Sequence, residues 1–161
     1  MFDPETVDLV TTVLTACRVK GWRIATAESC TGGLVAAALT AIAGSSEVVD
    51  RAFVTYSNKA KMDMVGVPEA TLAAVGAVSA EVALAMASGA VSRAGVDLAV
   101  SVTGIAGPGG RTAEKPVGLV YLGLATKDSC RSERHIFPGD RDAIRRAAMI
   151  RALEMLREAA V

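Results

Sequence analysis

Between Asp97 and Thr103 the chain runs through Leu98, Ala99, Val100 and Val102 almost without a polar break, then enters the glycine-rich loop Gly104-Ile105-Ala106-Gly107-Pro108-Gly109-Gly110. A short run this apolar, without the alternation of a half-solvated strand, suits a strand buried on both faces. Such a strand lies centrally in a sheet and needs helices on either side. The remaining pattern supplies them. Asp3 and Pro4 open a helix in which Val7, Val10, Leu14 and Cys17 recur at helical spacing until Gly21. Trp22 to Ala27 reads as a strand, Leu34 to Ala41 as a helix, Ala52 to Tyr56 as a second strand and Lys59 to Val65 as a short helix. Pro68 to Gly76 reads as a connection, and Ser79 caps a helix that reaches Ala94 before Gly95. Val117 to Thr126 and Glu133 to Phe137 read as consecutive antiparallel strands. A last helix starts near Asp140, with Ile144, Ala147, Ala148 and Met155 on one face. The expected class is therefore α/β: one domain over residues 1–161, a three-layer α/β/α sandwich with a mixed sheet of about five strands.

Composition narrows the chemistry. The 161 residues carry 17 basic and 17 acidic side chains, which removes the basic excess of a dedicated nucleic-acid binder. A single histidine, His135, and three scattered cysteines, Cys17, Cys30 and Cys130, offer no metal-ligand spacing and no disulfide framework. No metal, no cofactor, no nucleic-acid partner and no membrane partner is expected. Met1 to Lys20 lacks the pattern of a secretory signal, and the weakly polar stretch Leu34 to Gly44 is too short to span a bilayer. A cytoplasmic protein with free thiols is the expectation, and its Ala-rich surface is compatible with a homodimer.

In open α/β sheets ligands meet the carboxyl ends of the strands. Three such ends carry polar or glycine-rich loops here: Thr26 to Gly33, Thr55 to Lys61 and Thr103 to Gly110. The first places Ser29, Thr31, Gly32 and Gly33 at a helix N-terminus, which suits either an anion such as phosphate or an ordinary cap. Glu28 either pairs with a basic group or orients this loop. The second puts Tyr56 beside Lys59 and Lys61. With no spare histidine, a hydroxyl nucleophile needs another base, and a lysine held neutral can serve. Ser45 and Ser46 precede the second strand; either suits a nucleophile, and either suits a cap. Cys30 reads as a small packed thiol, His135 as structural or surface, and Arg145, Arg146, Arg151 and Arg157 with Glu154 and Glu158 as a solvated helix face.

Several longer motifs stand in register. They are Thr26-Ala27-Glu28-Ser29-Cys30-Thr31-Gly32-Gly33, Ala43-Gly44-Ser45-Ser46, Phe53-Val54-Thr55-Tyr56-Ser57-Asn58-Lys59-Ala60-Lys61, Gly76-Ala77-Val78-Ser79, Ser101-Val102-Thr103-Gly104-Ile105-Ala106-Gly107-Pro108 and Lys115-Pro116-Val117-Gly118. Together they resemble the CinA C-terminal domain family, from about residue 5 to residue 158. The resemblance implies a metal-independent nicotinamide-nucleotide amidohydrolase, which converts nicotinamide mononucleotide and water to nicotinate mononucleotide and ammonia during pyridine-nucleotide recycling. Carried over by residue, it implies Ser46 as nucleophile, Tyr56 and Lys61 as the base system, and Thr103 and Arg141 as substrate contacts.

Ser29, Thr31, Gly32, Gly33, Ser45 and Gly104 complete the expected substrate site. Backbone amides near Ser45 and Ser46 are candidate oxyanion donors, and the phosphate falls either to the Ser29 to Gly33 helix start or to Arg141. The family's glycine-rich loop is slightly shortened between Pro108 and Lys115, which bears on substrate preference. The N-terminal pyrophosphatase-like domain of many members is not expected in residues 1–161. Two rival readings stand beside the enzyme: an inactive nucleotide-binding or regulatory module, and a competence-related interaction protein.

Overall fold

A computed structural model describes all of residues 1–161. Six helices and five strands alternate early and pair late: α1 (Pro4–Lys20), β1 (Ile24–Glu28), α2 (Leu34–Thr40), β2 (Val49–Val54), α3 (Asn58–Val65), α4 (Glu69–Val75), α5 (Ala80–Ala94), β3 (Leu98–Gly104), β4 (Leu119–Thr126), β5 (Cys130–Ile136) and α6 (Arg141–Ala160). The sheet order is β2-β1-β3-β4-β5, with β1, β2 and β3 parallel and β4 and β5 antiparallel. This is the expected three-layer α/β/α sandwich over a mixed five-stranded sheet. No helix is long and apolar enough to cross a membrane.

The two layers divide the core. On one face α1, α2 and α6 pack Val13, Leu14, Cys17, Leu39, Met149 and Leu153 against Ile24, Val100 and Val102. On the other, α3 and α5 bring Val65, Val82, Met86 and Ala90 against Ala25, Ala27 and Ala99. β3 is buried along its length, as its unbroken apolar run requires. Small residues let these elements approach closely: a Cβ on Gly123 in β4 would lie 2.3 Å from the Ala83 carbonyl of α5, and one on Gly89 in α5 would lie 1.8 Å from the Val65 carbonyl of α3.

Local signals placed most boundaries. Asp3, Ser57, Ser79 and Asp140 each accept a backbone amide three residues on and start α1, α3, α5 and α6. Gly21, Gly66 and Gly95 end α1, α3 and α5 in the left-handed conformation. Three expectations need correction. β2 runs from Val49 to Val54 and not from Ala52 to Tyr56, because the parallel register sets Val49 against Ile24 and the edge strand is too polar to show its start. The Pro68 to Gly76 connection contains α4, whose single buried side chain, Leu72, leaves no visible period. β5 is Cys130–Ile136, three residues earlier at its start, because the Val117 to Gly118 turn returns to Phe137 and fixes the antiparallel register.

β1 connects through α2 on one face to its neighbour β2, whereas β2 connects through α3 to α5 on the other face to β3, on β1's far side. The crevice beyond the carboxyl ends of β1 and β3 is thus a topological switch point, where ligands bind in open α/β sheets.

Candidate active site

That crevice is a cavity of about 460 Å³ lined by Ser29 and Cys30 after β1, Tyr56, Asn58 and Lys61 after β2, Ala77 and Val78 before α5, the Thr103 to Gly110 segment after β3, and Arg141 at the start of α6. Its volume suits a small-molecule ligand.

Lys61 is the group that defines it. Asn58 to Val65 forms a helix because Ser57 caps it, and Lys61 stands one turn in, buried. Its side chain is only 1 % exposed. The ammonium nitrogen donates to the Thr55 carbonyl at 2.8 Å and to Ser29 Oγ at 3.0 Å. Both partners are neutral, so no carboxylate offsets the cost of removing the charge from water. Burial accordingly pushes the Lys61 pKa down from 10.5 to about 8, with the adjacent Cys30 thiol acting weakly the other way. A lysine that sheds its proton near neutrality and touches a serine hydroxyl is the arrangement of a Ser/Lys hydrolase. The Cys30 thiol, in turn, is pushed up to about 11 by burial, partly offset by its own backbone amide and Lys61. It is a packed thiol and not a thiolate nucleophile.

Ser29 owes its position to the turn between β1 and α2. Its amide continues the sheet ladder by donating to Val102, and the Gly32 amide donates back to its carbonyl. The carboxylate of Glu28, fully buried, then folds under the turn. It accepts from Thr26 Oγ1, from Thr31 Oγ1 and from the amides of Gly33, Val35 and Ala36. Gly33, at φ +99°, supplies the left-handed residue that aims its amide inward. The free donors of the α2 N-terminus are therefore already satisfied by an internal anion. This overturns the expectation of a phosphate site there: Thr31, Gly32 and Gly33 hold Glu28 and do not line the cavity.

The expected Ser46–Lys61 pair is likewise absent within the chain. Ser45–Glu47 is a 3₁₀ turn ahead of β2, tied to the end of α1 by Arg18, which pairs with Glu47 at 2.6 Å. Six residues of β2 separate it from Thr55, roughly 20 Å at about 3.3 Å per residue. Ser45 and Ser46 thus sit at the opposite end of the sheet from the cavity, with their amides.

Tyr56 lines the cavity but is 61 % exposed at its rim. Its hydroxyl accepts from Arg141 Nη2 at 3.1 Å, while Arg141 Nη1 donates to the Gly107 carbonyl at 2.8 Å. The anticipated Tyr56–Lys61 proton pair is not formed. Thr103 Oγ1 donates to the Ala77 carbonyl at 2.8 Å, joining the end of β3 to the wall before α5. Thr103, Gly104 and Arg141 thus stand where the sequence placed them, in the cavity.

Residues that the sequence did not single out include Asn58, Cys30 as a wall residue, and Arg145. Arg145 is not part of a solvated face, since it donates to the carbonyls of Cys30 and Thr31. Nor is Arg151, which holds Glu133 of β5 at 2.8 Å together with Glu154 and Glu158. His135 meets Glu133 and stacks on Phe137, remote from the cavity. No three His, Cys, Asp or Glu side chains converge as metal ligands would.

Comparison with known proteins gives the family and supports the fold. Residues 6–160 match the model of the CinA C-terminal domain. A CinA-like protein of Syntrophobacter fumaroxidans is 55% identical over 139 residues, covering 86% of this chain and 33% of that protein. The chain thus spans about a third of the length of such relatives. A relative of similar size, the nicotinamide-nucleotide amidohydrolase PncC of Enterobacter agglomerans, is 54% identical over 140 residues, 86% of this chain and 85% of that protein. Among solved structures, the competence/damage inducible protein CihA of Agrobacterium tumefaciens superposes with a TM-score of 0.95 at 49% identity, covering 99% of this chain and 98% of that one.

Proposed function

The chain belongs to the CinA C-terminal domain family, and from that premise we propose that it is an amidohydrolase that deamidates nicotinamide mononucleotide, with Ser29 as nucleophile and Lys61 as general base. The name of the Enterobacter agglomerans relative supports the reaction. The observation that carries the mechanism is the buried, carboxylate-free Lys61 with its nitrogen 3.0 Å from Ser29 Oγ.

The steps follow from that contact. Neutral Lys61 Nζ takes the Ser29 proton as Oγ bonds to the carboxamide carbon. The tetrahedral intermediate collapses, Lys61 returns the proton to the leaving nitrogen, and ammonia departs. Water, deprotonated by the same lysine, cleaves the Ser29 ester and releases nicotinate mononucleotide. No step needs a metal.

The substrate's phosphate needs donors, and Glu28 has taken those of α2. Arg141 reaches the cavity from the start of α6, and the amides of Ala106, Gly107, Gly109 and Gly110 donate to no protein acceptor. Successive free amides with a guanidinium beside them form an anion cradle. Tyr56 holds Arg141 at the rim and does not carry the proton.

Ammonia release from nicotinamide mononucleotide by the purified protein tests this reading. The expected result is stoichiometric ammonia and nicotinate mononucleotide. Binding of the nucleotide without ammonia release would instead establish a nucleotide-binding module.

A further inference from the structure

The cavity is unbalanced in charge. Of the 15 residues that line it two are cations, Lys61 and Arg141, and none is a carboxylate. The charged and titratable groups packed around Lys61 do not redress this. From the turn after β1 come the Cys30 thiol, whose pKa burial raises to about 11, and the Glu28 carboxylate, whose oxygens are taken by five donors. On α3 itself Lys59 and Asp63 pair with each other, Asp50 and Arg51 of β2 do the same, and Tyr56 meets Arg141. On α5, which packs against α3, Glu81 and Arg93 are exposed. From α6, Arg141 and Arg145 donate to backbone carbonyls. An ammonium carries three protons. Lys61 places two, on the Thr55 carbonyl and on Ser29 Oγ, and no protein acceptor takes the third.

The reaction itself delivers an anion to that place. When the C–N bond has broken, ammonia has left and the water oxygen has bonded to the carbonyl carbon, the product is a carboxylic acid, and its proton passes to Lys61 Nζ. The cycle therefore closes on a carboxylate beside an ammonium. Attack requires the carboxamide carbon to sit against Ser29 Oγ, which is itself 3.0 Å from Nζ, so the carboxylate oxygens form within reach of the unplaced proton. Before turnover the same place holds a neutral amide. Folding has already taken Lys61 out of water, so pairing requires only the carboxylate to lose its hydration.

Resting on the amidase reading above, we infer that the site is also a receptor for its own acid product: protonated Lys61 pairs with the carboxylate of nicotinate mononucleotide, which inhibits the enzyme, and does so more strongly as the pH falls. Phosphate, ribose and ring are common to amide and acid, so the discrimination rests on Lys61. With its pKa at about 8, roughly nine in ten free molecules carry the cation at pH 7 and roughly one in ten at pH 9. Only the cation pairs with a carboxylate, so the apparent affinity for the acid follows its fraction. The amide is turned over by the neutral form. Substrate and product thus draw on opposite protonation states of one residue.

The test titrates the wild-type protein calorimetrically with nicotinate mononucleotide and with the pyridine mononucleotide that lacks the carboxyl group, at pH 7, 8 and 9, above the second phosphate pKa of about 6. Ammonia release from nicotinamide mononucleotide, with and without added acid, is read in parallel. The acid should bind at least about tenfold more tightly than the carboxyl-free reference at pH 7, as a charge-assisted pair does, and competitive inhibition should match. That advantage should fall about tenfold by pH 9. At pH 8 the acid should take up about half a proton more than the reference, read from the dependence of the heat on buffer ionisation. Lys61→Met should bind the two nucleotides within about threefold of each other at every pH. If Lys61→Met does not fold, proton uptake by the wild type decides the matter. An acid preference that is missing at pH 7, unchanged at pH 9, unaccompanied by proton uptake or retained in Lys61→Met overturns the inference. A wild type that releases no ammonia refutes the amidase reading and this inference with it; an active wild type without the acid preference removes the inference alone.

Discussion

Replacing Lys61 by methionine separates the cost of burying its charge from the use made of it. At pH 7 the lysine is protonated in both folded and unfolded chains, since its pKa is about 8 folded and 10.5 when exposed. The folded protein therefore carries the full penalty of that difference, about 3 kcal/mol. Lys61→Met removes the penalty but leaves the Thr55 carbonyl without its donor, at a cost of about 1–3 kcal/mol. The net change at neutral pH is thus between zero and a modest gain, with activity lost. The pH dependence is sharper. Above the folded pKa the native lysine releases its proton while the unfolded one still holds it, so the contribution of Lys61 to stability rises with pH. For this group alone linkage gives roughly 1.3 kcal/mol between pH 7 and 9, equivalent to about 3–5 °C in Tm for a chain of this length. Burial holds the Cys17 and Cys30 thiols near 11, above their ordinary 9.0, and this acts in the opposite direction over the same range; both proteins carry those thiols, so the difference between them isolates Lys61. Urea denaturation of both proteins at pH 7, 8 and 9 measures the effect. The stability of wild type minus that of Lys61→Met should climb by about 1.3 kcal/mol across the series. A flat or falling difference would refute the claim that Lys61 is buried as a strained cation.

The remaining predictions concern the reaction. The rate of ammonia release should rise through pH about 8 as Lys61 becomes a free base, and Lys61→Arg, permanently charged, should be inactive across the range. Tyr56→Phe should cost less than the ~10²-fold typical of losing a general acid or base, because the phenol meets Arg141 and not Lys61; a larger kcat loss would put Tyr56 on the proton path. Glu28→Gln presents donors to amides that need an acceptor, so thermal denaturation should show a loss of at least about 2 kcal/mol together with a fall in kcat.

The fold was legible because its signals are local: caps, terminating glycines, and the apolar run of β3. The site was only half legible, for a different reason. A lysine could be expected as the base because a lone histidine left little else, with Lys59 and Lys61 both open until the family resemblance pointed to Lys61. Ser29 lay in view too, but a serine ahead of a helix reads equally as a cap. What hid the role proposed for it was Glu28, whose carboxylate satisfies the helix start and frees Ser29 from capping, a consequence of three-dimensional folding that spacing does not reveal. The misplacement of Ser46 had an available corrective: it precedes its strand, whereas a parallel sheet gathers its ligands where strands end. Arg145 carried no such signal. It lies more than a hundred residues from the turn it holds, and its neighbours on α6 do face solvent or ion pairs.

The most direct measurement is ammonia release from nicotinamide mononucleotide by Ser29→Ala. Loss of at least about 10³-fold in kcat relative to wild type, in a protein that still folds, is the predicted result, given the weight a nucleophile carries in covalent catalysis. Activity within a few fold of wild type would contradict the Ser29–Lys61 account outright.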